Sequence, residues 1–120
     1  MSPHDGTILV VEDEALIALS IETQLEDMGF HTVIATTIVQ AHELLLMPDI
    51  CLAVLDYKVH GEKTTSIAEV LRSRSIPFVV CSGSQFQDLA TIFEGAPVVS
   101  KPYTDDAFES AIRTAMSNLN

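Results

Sequence analysis

The apolar residues of this chain follow two alternating spacings. Short continuous apolar runs are typical of strands buried on both faces of a sheet. Between them, apolar residues recur every three or four positions, which is typical of one side of a helix. The runs predict five strands, TILVV at 7–11, HTVIA at 31–35, ICLAVL at 50–55, FVVC at 78–81 and VVS at 98–100.

A helix is predicted after each strand. The predicted helices cover 14–28, 37–46, 66–73, 84–94 and a last segment that begins after Thr104 and carries an apolar stripe to Leu119. Thr37 with Gln40, and Ser84 with Gln87, match the capping box that opens many helices. The alternation predicts an α/β fold, a parallel sheet with helices on both faces, because right-handed crossovers place them there.

Composition narrows the classes of function. A length of 120 residues suits one domain, residues 1–120, and a hydrophobic fraction of 48% argues against a disordered chain. The net charge of −11 argues against direct binding to nucleic acid or to an anionic membrane, since both favour an excess of Lys and Arg. We find no membrane-spanning segment and no signal peptide, so a cytoplasmic location is expected.

Charged and polar residues stand where the predicted strands end. Glu12 and Asp13 follow the first strand, Asp56 the third, Ser82 the fourth and Lys101 the fifth. Each has an ordinary explanation when taken alone, such as a helix cap or a turn. The carboxyl ends of parallel strands share one edge of the sheet, however, and open α/β folds bind their ligands there. The five residues together therefore predict a functional site.

The residue types indicate the chemistry of that site. Two unit charges ~4 Å apart repel by about 4 kcal/mol at an effective dielectric constant of 20, so clustered carboxylates need compensation. A lysine supplies part of it, and Mg²⁺ supplies more, since it prefers carboxylate oxygens, water and phosphate as ligands. A carboxylate held in this way can act as a nucleophile toward phosphorus.

Four segments carry a family resemblance. ILVVEDE, the loop that follows Asp56, VVCSG and SKPY occur in this order at successive predicted strand ends. Together they resemble the CheY-like receiver domains of response regulators in two-component signalling, over the whole length of the chain. The resemblance implies a flavodoxin-like (βα)5 fold with a five-stranded parallel sheet of order 2-1-3-4-5.

The resemblance also implies roles for individual residues. Asp56 would accept a phosphoryl group from a sensor histidine kinase or a histidine phosphotransfer protein, and later lose it by autodephosphorylation. Ser82 would hydrogen-bond the phosphoryl group, and Lys101 would pair with one of its oxygens. Mg²⁺ would be held by Glu12, Asp13, Asp56 and the backbone carbonyl of Lys58. The protein would then be a phosphoacceptor in a phosphorelay rather than an enzyme with an external substrate.

Two positions depart from the family pattern. His60 stands before Gly61 where receivers usually have proline, and Val98 stands where many receivers have a Tyr or Phe that switches conformation. PFVVCSGS at 77–84 partly resembles the FAT GUY type of receiver, which lacks that aromatic residue. Since Val98 is short and stiff at χ1, we expect phosphorylation to reorder 83–95 instead. A downstream protein would then bind a face within 83–119.

Three other interpretations stay open. We expect a stand-alone receiver, and the alternative is a receiver fragment of a larger regulator or hybrid kinase. A pseudo-receiver that works without phosphorylation is disfavoured by the complete set of acidic residues, acceptor, hydroxyl and lysine. A haloacid-dehalogenase-like phosphatase needs an aspartate two residues after its nucleophile, and Lys58 occupies that position.

Overall fold

The computed structural model describes residues 6–82, 95–100 and 104–117. In these ranges strands and helices alternate as predicted, with the helix predicted at 84–94 and its capping box lying outside them. In chain order the elements are β1 (Thr7–Val11), α1 (Ala15–Asp27), β2 (His31–Ala35), α2 (Ile38–Leu44), β3 (Ile50–Asp56), β4 (Lys58–Val59), β5 (Glu62–Lys63), α3 (Thr65–Ser73), β6 (Phe78–Ser82), β7 (Val98–Ser100) and α4 (Asp105–Ser117).

The main sheet has the predicted topology. Its five strands are all parallel and lie in the order β2-β1-β3-β6-β7, which confirms the flavodoxin-like order 2-1-3-4-5. The register brings four strand ends to one edge, since Val11 pairs with Leu55, Asp56 with Cys81, and Ser82 with Ser100. The carboxyl ends of β1, β3, β6 and β7 are therefore neighbours.

Helices cover both faces of the sheet. One core cluster lies between the sheet and the helices α2 and α3. Helix α3 contributes its buried residues Ile67, Ala68 and Leu71 to it. The other lies under α1 and α4, where Ile21, Leu25, Phe108 and Ile112 are buried. Both faces of β1 and β6 are thus removed from water, which is why these strands are continuously apolar.

The helix starts follow the predicted capping chemistry. The hydroxyl of Thr37 accepts a hydrogen bond from the backbone N–H of Gln40 at 3.0 Å, and the Gln40 side chain accepts one from Thr36 N–H at 2.8 Å. The return bond thus reaches one residue further back than in a standard capping box. Thr104 caps α4 by accepting from Ala107 N–H at 3.1 Å. Among the described residues, no helix is long and apolar enough to cross a membrane.

A small hairpin is the main departure from the predicted elements. The polar segment after Asp56 was expected to be a loop, but β4 and β5 pair antiparallel in it, with Lys58 opposite Lys63 and Val59 opposite Glu62. Each strand has only two residues, so no apolar alternation is long enough to show in the sequence. The hairpin stands beside the edge of the sheet where the predicted site lies.

Candidate functional site

Glu12 is the first acidic residue of the site. It directly follows β1, and its backbone N–H donates to the carbonyl of Ala35 at 3.0 Å, so it extends the pairing with β2. Its side chain is only 1% exposed, which is unusual for a carboxylate. One oxygen, Oε2, accepts a hydrogen bond from the backbone N–H of Glu14 at 3.1 Å. The main chain at the start of α1 thus helps to hold this carboxylate in place.

Asp13 is tied to the hairpin. Its Oδ2 accepts a 2.9 Å hydrogen bond from the backbone N–H of His60. This bond lowers the pKa of Asp13 below its usual value, although burial acts in the opposite direction. Asp13 is therefore held ionised and pointed toward the hairpin, and it is not simply a cap for α1, whose N-cap is Glu14.

Asp56 is the last residue of β3, just before the hairpin, and its carboxylate lies close to those of Glu12 and Asp13. Its backbone carbonyl accepts a 2.8 Å hydrogen bond from the hydroxyl of Thr64. The next residue, Tyr57, donates its N–H to the carbonyl of Cys81 at 2.9 Å and accepts from Thr64 N–H at 3.0 Å. The main chain around Asp56 is thus fixed on both sides, by β6 and by the residue that follows the hairpin.

Of the other three predicted site residues, the structure describes Ser82 and Lys58 but not Lys101. Ser82 ends β6, is 1% exposed, and pairs with Ser100, the last residue of β7. Lys101 follows Ser100 in sequence but lies outside the described residues, so its role stays a prediction. Lys58 begins β4, and the part assigned to its carbonyl likewise stays a prediction.

The three carboxylates converge enough to share a cation. Glu12, Asp13 and Asp56 each offer an oxygen, and these oxygens all lie within 4.8 Å of one another. Hard oxygen donors at such separations suit a small divalent cation that keeps several water molecules, which is the behaviour of Mg²⁺. The donor chemistry therefore fits the predicted magnesium site.

Two residues of this region were missed in the sequence. Thr64 is fully buried and holds the main chain of Asp56 and Tyr57, but a single threonine in a polar segment gives no signal of such a contact. His60 was noted only as a departure from the family pattern. The dipeptide His60-Gly61 could have predicted the turn of the hairpin. A two-residue hairpin turn needs positive φ at both central residues, which histidine tolerates and glycine adopts freely.

Comparisons with known proteins agree with this geometry. No family model matches the chain, and no curated protein matches it. Among solved structures it is similar to SdrG from Sphingomonas melonis Fr1, with 36% identity, a TM-score of 0.83 and coverage of 97% of this chain and 99% of SdrG. It is also similar to a response regulator receiver protein from Sinorhizobium medicae WSM419, with 25% identity, a TM-score of 0.85 and coverage of 94% and 95%.

A third structure supports the fold alone. A CheY-like response regulator receiver domain from Methylobacillus flagellatus is 19% identical, with a TM-score of 0.77 and coverage of 92% of this chain and 98% of that one. The likeness to SdrG spans nearly all of both chains, and the three carboxylates converge at the carboxyl ends of the strands. The chain therefore belongs to the CheY-like receiver domains of response regulators in two-component signal transduction.

Proposed function

We propose that this protein is a magnesium-dependent phosphoacceptor and that Asp56 is its phosphorylation site. The observation that carries the proposal is the convergence of Glu12, Asp13 and Asp56, whose oxygens lie within 4.8 Å at the strand ends of a receiver fold. Asp56 is the member of this trio on the central strand β3, with β1 on one side and β6 on the other. Asp56 is only partly buried, so a phosphodonor can reach it.

In the proposed reaction a carboxylate oxygen of Asp56 attacks the phosphorus of a phosphohistidine. A new P–O bond forms, the P–N bond breaks, and the imidazole of the donor leaves with the electron pair and takes up a proton. The hydrogen bond from Thr64 fixes the backbone of Asp56 during this displacement, so the nucleophile is positioned rather than activated by a base. Phosphoryl transfer depends mainly on such positioning and on charge neutralisation.

The other residues of the site would neutralise the negative charge of the transferred phosphoryl group. Glu12, Asp13, Asp56 and the carbonyl of Lys58 would hold Mg²⁺, which supplies positive charge to the oxygens of the transferred group. The hydroxyl of Ser82 would donate to a phosphoryl oxygen, and the ammonium of Lys101 would pair with another. The convergence of strand ends supports both roles, since β6 and β7 end side by side at Ser82 and Ser100.

The partners follow from the chemistry and the charge. The phosphodonor would be a sensor histidine kinase or a histidine phosphotransfer protein, and the downstream target a protein that binds a face within 83–119. The first Lys or Arg in the chain is Lys58, so α1 and α2 carry no positive side chain except histidine. This distribution supports partners with basic contact surfaces and disfavours direct contact with nucleic acid.

The test is the intact mass of the protein after incubation with phosphoramidate and Mg²⁺. We expect one added phosphoryl group on the wild type and none on Asp56→Asn, which keeps the shape of the side chain but is a poor nucleophile. The matched control is Asp49→Asn, because Asp49 lies at the opposite end of β3, where its carboxylate accepts a 2.7 Å bond from Thr7. That variant should be phosphorylated like the wild type.

The same experiment separates the other interpretations. Equal phosphorylation of Asp56→Asn would refute the assignment of the acceptor. A wild type that gains no phosphoryl group would indicate a pseudo-receiver, and continuous release of phosphate without a stable adduct would indicate a phosphatase.

A further inference from the structure

The hairpin beside the site has an unusual turn. Val59 pairs with Glu62, so only His60 and Gly61 connect β4 to β5. Both have positive φ, 50° for His60 and 78° for Gly61, as a type I′ turn requires of its two central residues. Glycine adopts this region freely, and histidine is among the few other residues enriched in it.

This turn aims a backbone donor at the acidic cluster. With φ positive at residue 60, the N–H of His60 points to Oδ2 of Asp13, 2.9 Å away and 47 residues distant in sequence. The imidazole contributes much less, because its Nδ1 is 3.9 Å from the same oxygen, beyond hydrogen-bonding distance, and 61% of the side chain is exposed. The contact depends on the main chain of residue 60 rather than on its ring.

The bond restrains a carboxylate that would otherwise turn away. Asp13 lies in the short connection between β1 and α1, with two further carboxylates within 4.8 Å, and their mutual repulsion favours outward rotamers. A hydrogen bond from N–H to an ionised carboxylate is about twice as strong as one between neutral groups. It engages Oδ2 alone, and a carboxylate has lone pairs enough to accept this bond and bind a cation as well.

The hairpin that supplies this donor is itself anchored at its base. Thr64, which directly follows β5, donates its N–H to the carbonyl of Tyr57 at 3.0 Å and its hydroxyl to the carbonyl of Asp56 at 2.8 Å. Residues 57–64 thus form a bridge between the two acidic residues. The base of the hairpin is bound to the backbone of Asp56 and Tyr57, and its turn is bound to the side chain of Asp13. The separation of two of the three carboxylates is set through this bridge.

We propose that His60, through its backbone N–H, is a positioning residue that holds Asp13 in its cation-binding arrangement, so that Mg²⁺ affinity depends on the conformation of the turn at 60–61. The inference rests on the magnesium site of the proposed function and adds a determinant of its affinity. Binding to a carboxylate already in place avoids the free-energy cost of ordering it. By linkage, Mg²⁺ must in turn stabilise the turn.

The first test replaces His60 by proline and by asparagine. Proline has no N–H and holds φ near −65°, so it removes both the donor and the turn. Asparagine keeps the donor and tolerates positive φ, and it lacks the imidazole. We expect His60→Pro to bind Mg²⁺ roughly tenfold more weakly, the loss expected for one charge-assisted hydrogen bond. His60→Asn should stay within about twofold of the wild type, since the ring contributes little to the contact.

A milder pair of variants serves if His60→Pro does not fold. Gly61 and Gly95 have φ of 78° and 83°, and an added Cβ would meet no atom within 4 Å at either one. An alanine at each position therefore introduces the same backbone strain without a steric clash. Gly95 precedes β7 and so lies at the opposite edge of the sheet from the site. We expect Gly61→Ala to weaken Mg²⁺ binding and Gly95→Ala to leave it unchanged.

Affinity is measured by following backbone amide shifts during Mg²⁺ titration, with thermal melts recorded without the cation. A purely structural role would lower the melting temperature of both glycine variants and leave both dissociation constants equal to that of the wild type. That result, or tight binding by His60→Pro, would overturn the inference and leave the magnesium site standing. Failure of the wild type itself to bind Mg²⁺ would overturn the proposed site and this inference together.

Discussion

The hydroxyl of Thr64 donates a 2.8 Å hydrogen bond to the backbone carbonyl of Asp56, eight residues earlier in the chain. Thr64 is fully buried, and the same hydroxyl lies 3.3 Å from the carbonyl of Tyr57. Asp56 is the last residue of β3, and this side chain adds a hydrogen bond to its backbone at the strand end. The orientation of the proposed acceptor therefore depends on a residue outside the acidic cluster.

We expect Thr64→Val to destabilise the fold and slow phosphorylation. Valine has nearly the same shape but no hydroxyl, so the carbonyl of Asp56 loses this donor in a buried place, at a cost of about 1–3 kcal/mol in unfolding free energy. Thr64→Ser keeps the hydroxyl and is the control. Urea unfolding and the rate of adduct formation with phosphoramidate check both effects. A valine variant as stable and as reactive as the serine variant would contradict the assigned role.

Mg²⁺ is expected to stabilise the folded protein, because it relieves the repulsion that arises when folding brings Asp56 to Glu12 and Asp13. At a free concentration near 100 times the dissociation constant, linkage gives about 2.7 kcal/mol in unfolding free energy. Thermal melts with and without Mg²⁺ measure the effect, and Asp13→Asn, which removes one negative charge from the site, should respond less. Identical melting temperatures of the wild type in both conditions would count against the site.

The pH dependence of stability should report the bond between His60 and Asp13. That bond lowers the pKa of Asp13 in the folded state, so the ionised form stabilises the fold at pH values above the ordinary aspartate pKa of about 4. The contribution is lost as the pH falls through the lowered pKa. In the presence of EDTA, the stability of the wild type relative to Asp13→Asn should therefore decrease between about pH 5 and pH 2. A difference in unfolding free energy that stays constant over this range would contradict the assignment.

The fold was predictable because its signals are local and repeated. Apolar runs such as 7–11 and 50–55 identify strands buried on both faces, and their alternation with helices fixes a parallel sheet. The edge that carries Glu12, Asp13 and Asp56 followed from the same rule. The hairpin strands β4 and β5 could not be predicted from the sequence, because strands of two residues are too short to show any periodicity. The contacts of Thr64 and His60 arise only when distant segments meet.

Burial should separate two leucines that look alike in the sequence. Leu71 in α3 is fully buried, whereas Leu16 in α1 is 83% exposed. Leu71→Ala should lower the unfolding free energy by about 2–5 kcal/mol, because it removes transfer free energy and leaves a cavity. Leu16→Ala should stay within about 0.5 kcal/mol, as is usual for surface substitutions. Chemical denaturation of both variants decides the matter, and comparable losses would show that the core is wrongly placed.

The conformational response to phosphorylation has to work without an aromatic switch at position 98. Val98 occupies the position at which many related receivers are expected to carry a switching aromatic residue, and its half-buried side chain packs against the core cluster beneath α2 and α3. A β-branched side chain confined in this way has no pair of large inward and outward states to exchange. Another element must then report the state of Asp56.

We propose that this element is the segment 83–95, of which 83–94 lies outside the described residues. It directly follows Ser82, whose hydroxyl would move toward the phosphoryl group, and a short helix there would depend on tertiary contacts for its stability. A small shift of Ser82 could therefore order or loosen it, and so change the binding face within 83–119. Backbone NMR with and without a beryllofluoride adduct at Asp56 is the test, with Asp56→Asn as the control that forms no adduct. We expect the largest changes in amide shifts and order parameters within 83–95, and the idea fails if those residues are equally ordered in both states while the changes concentrate elsewhere.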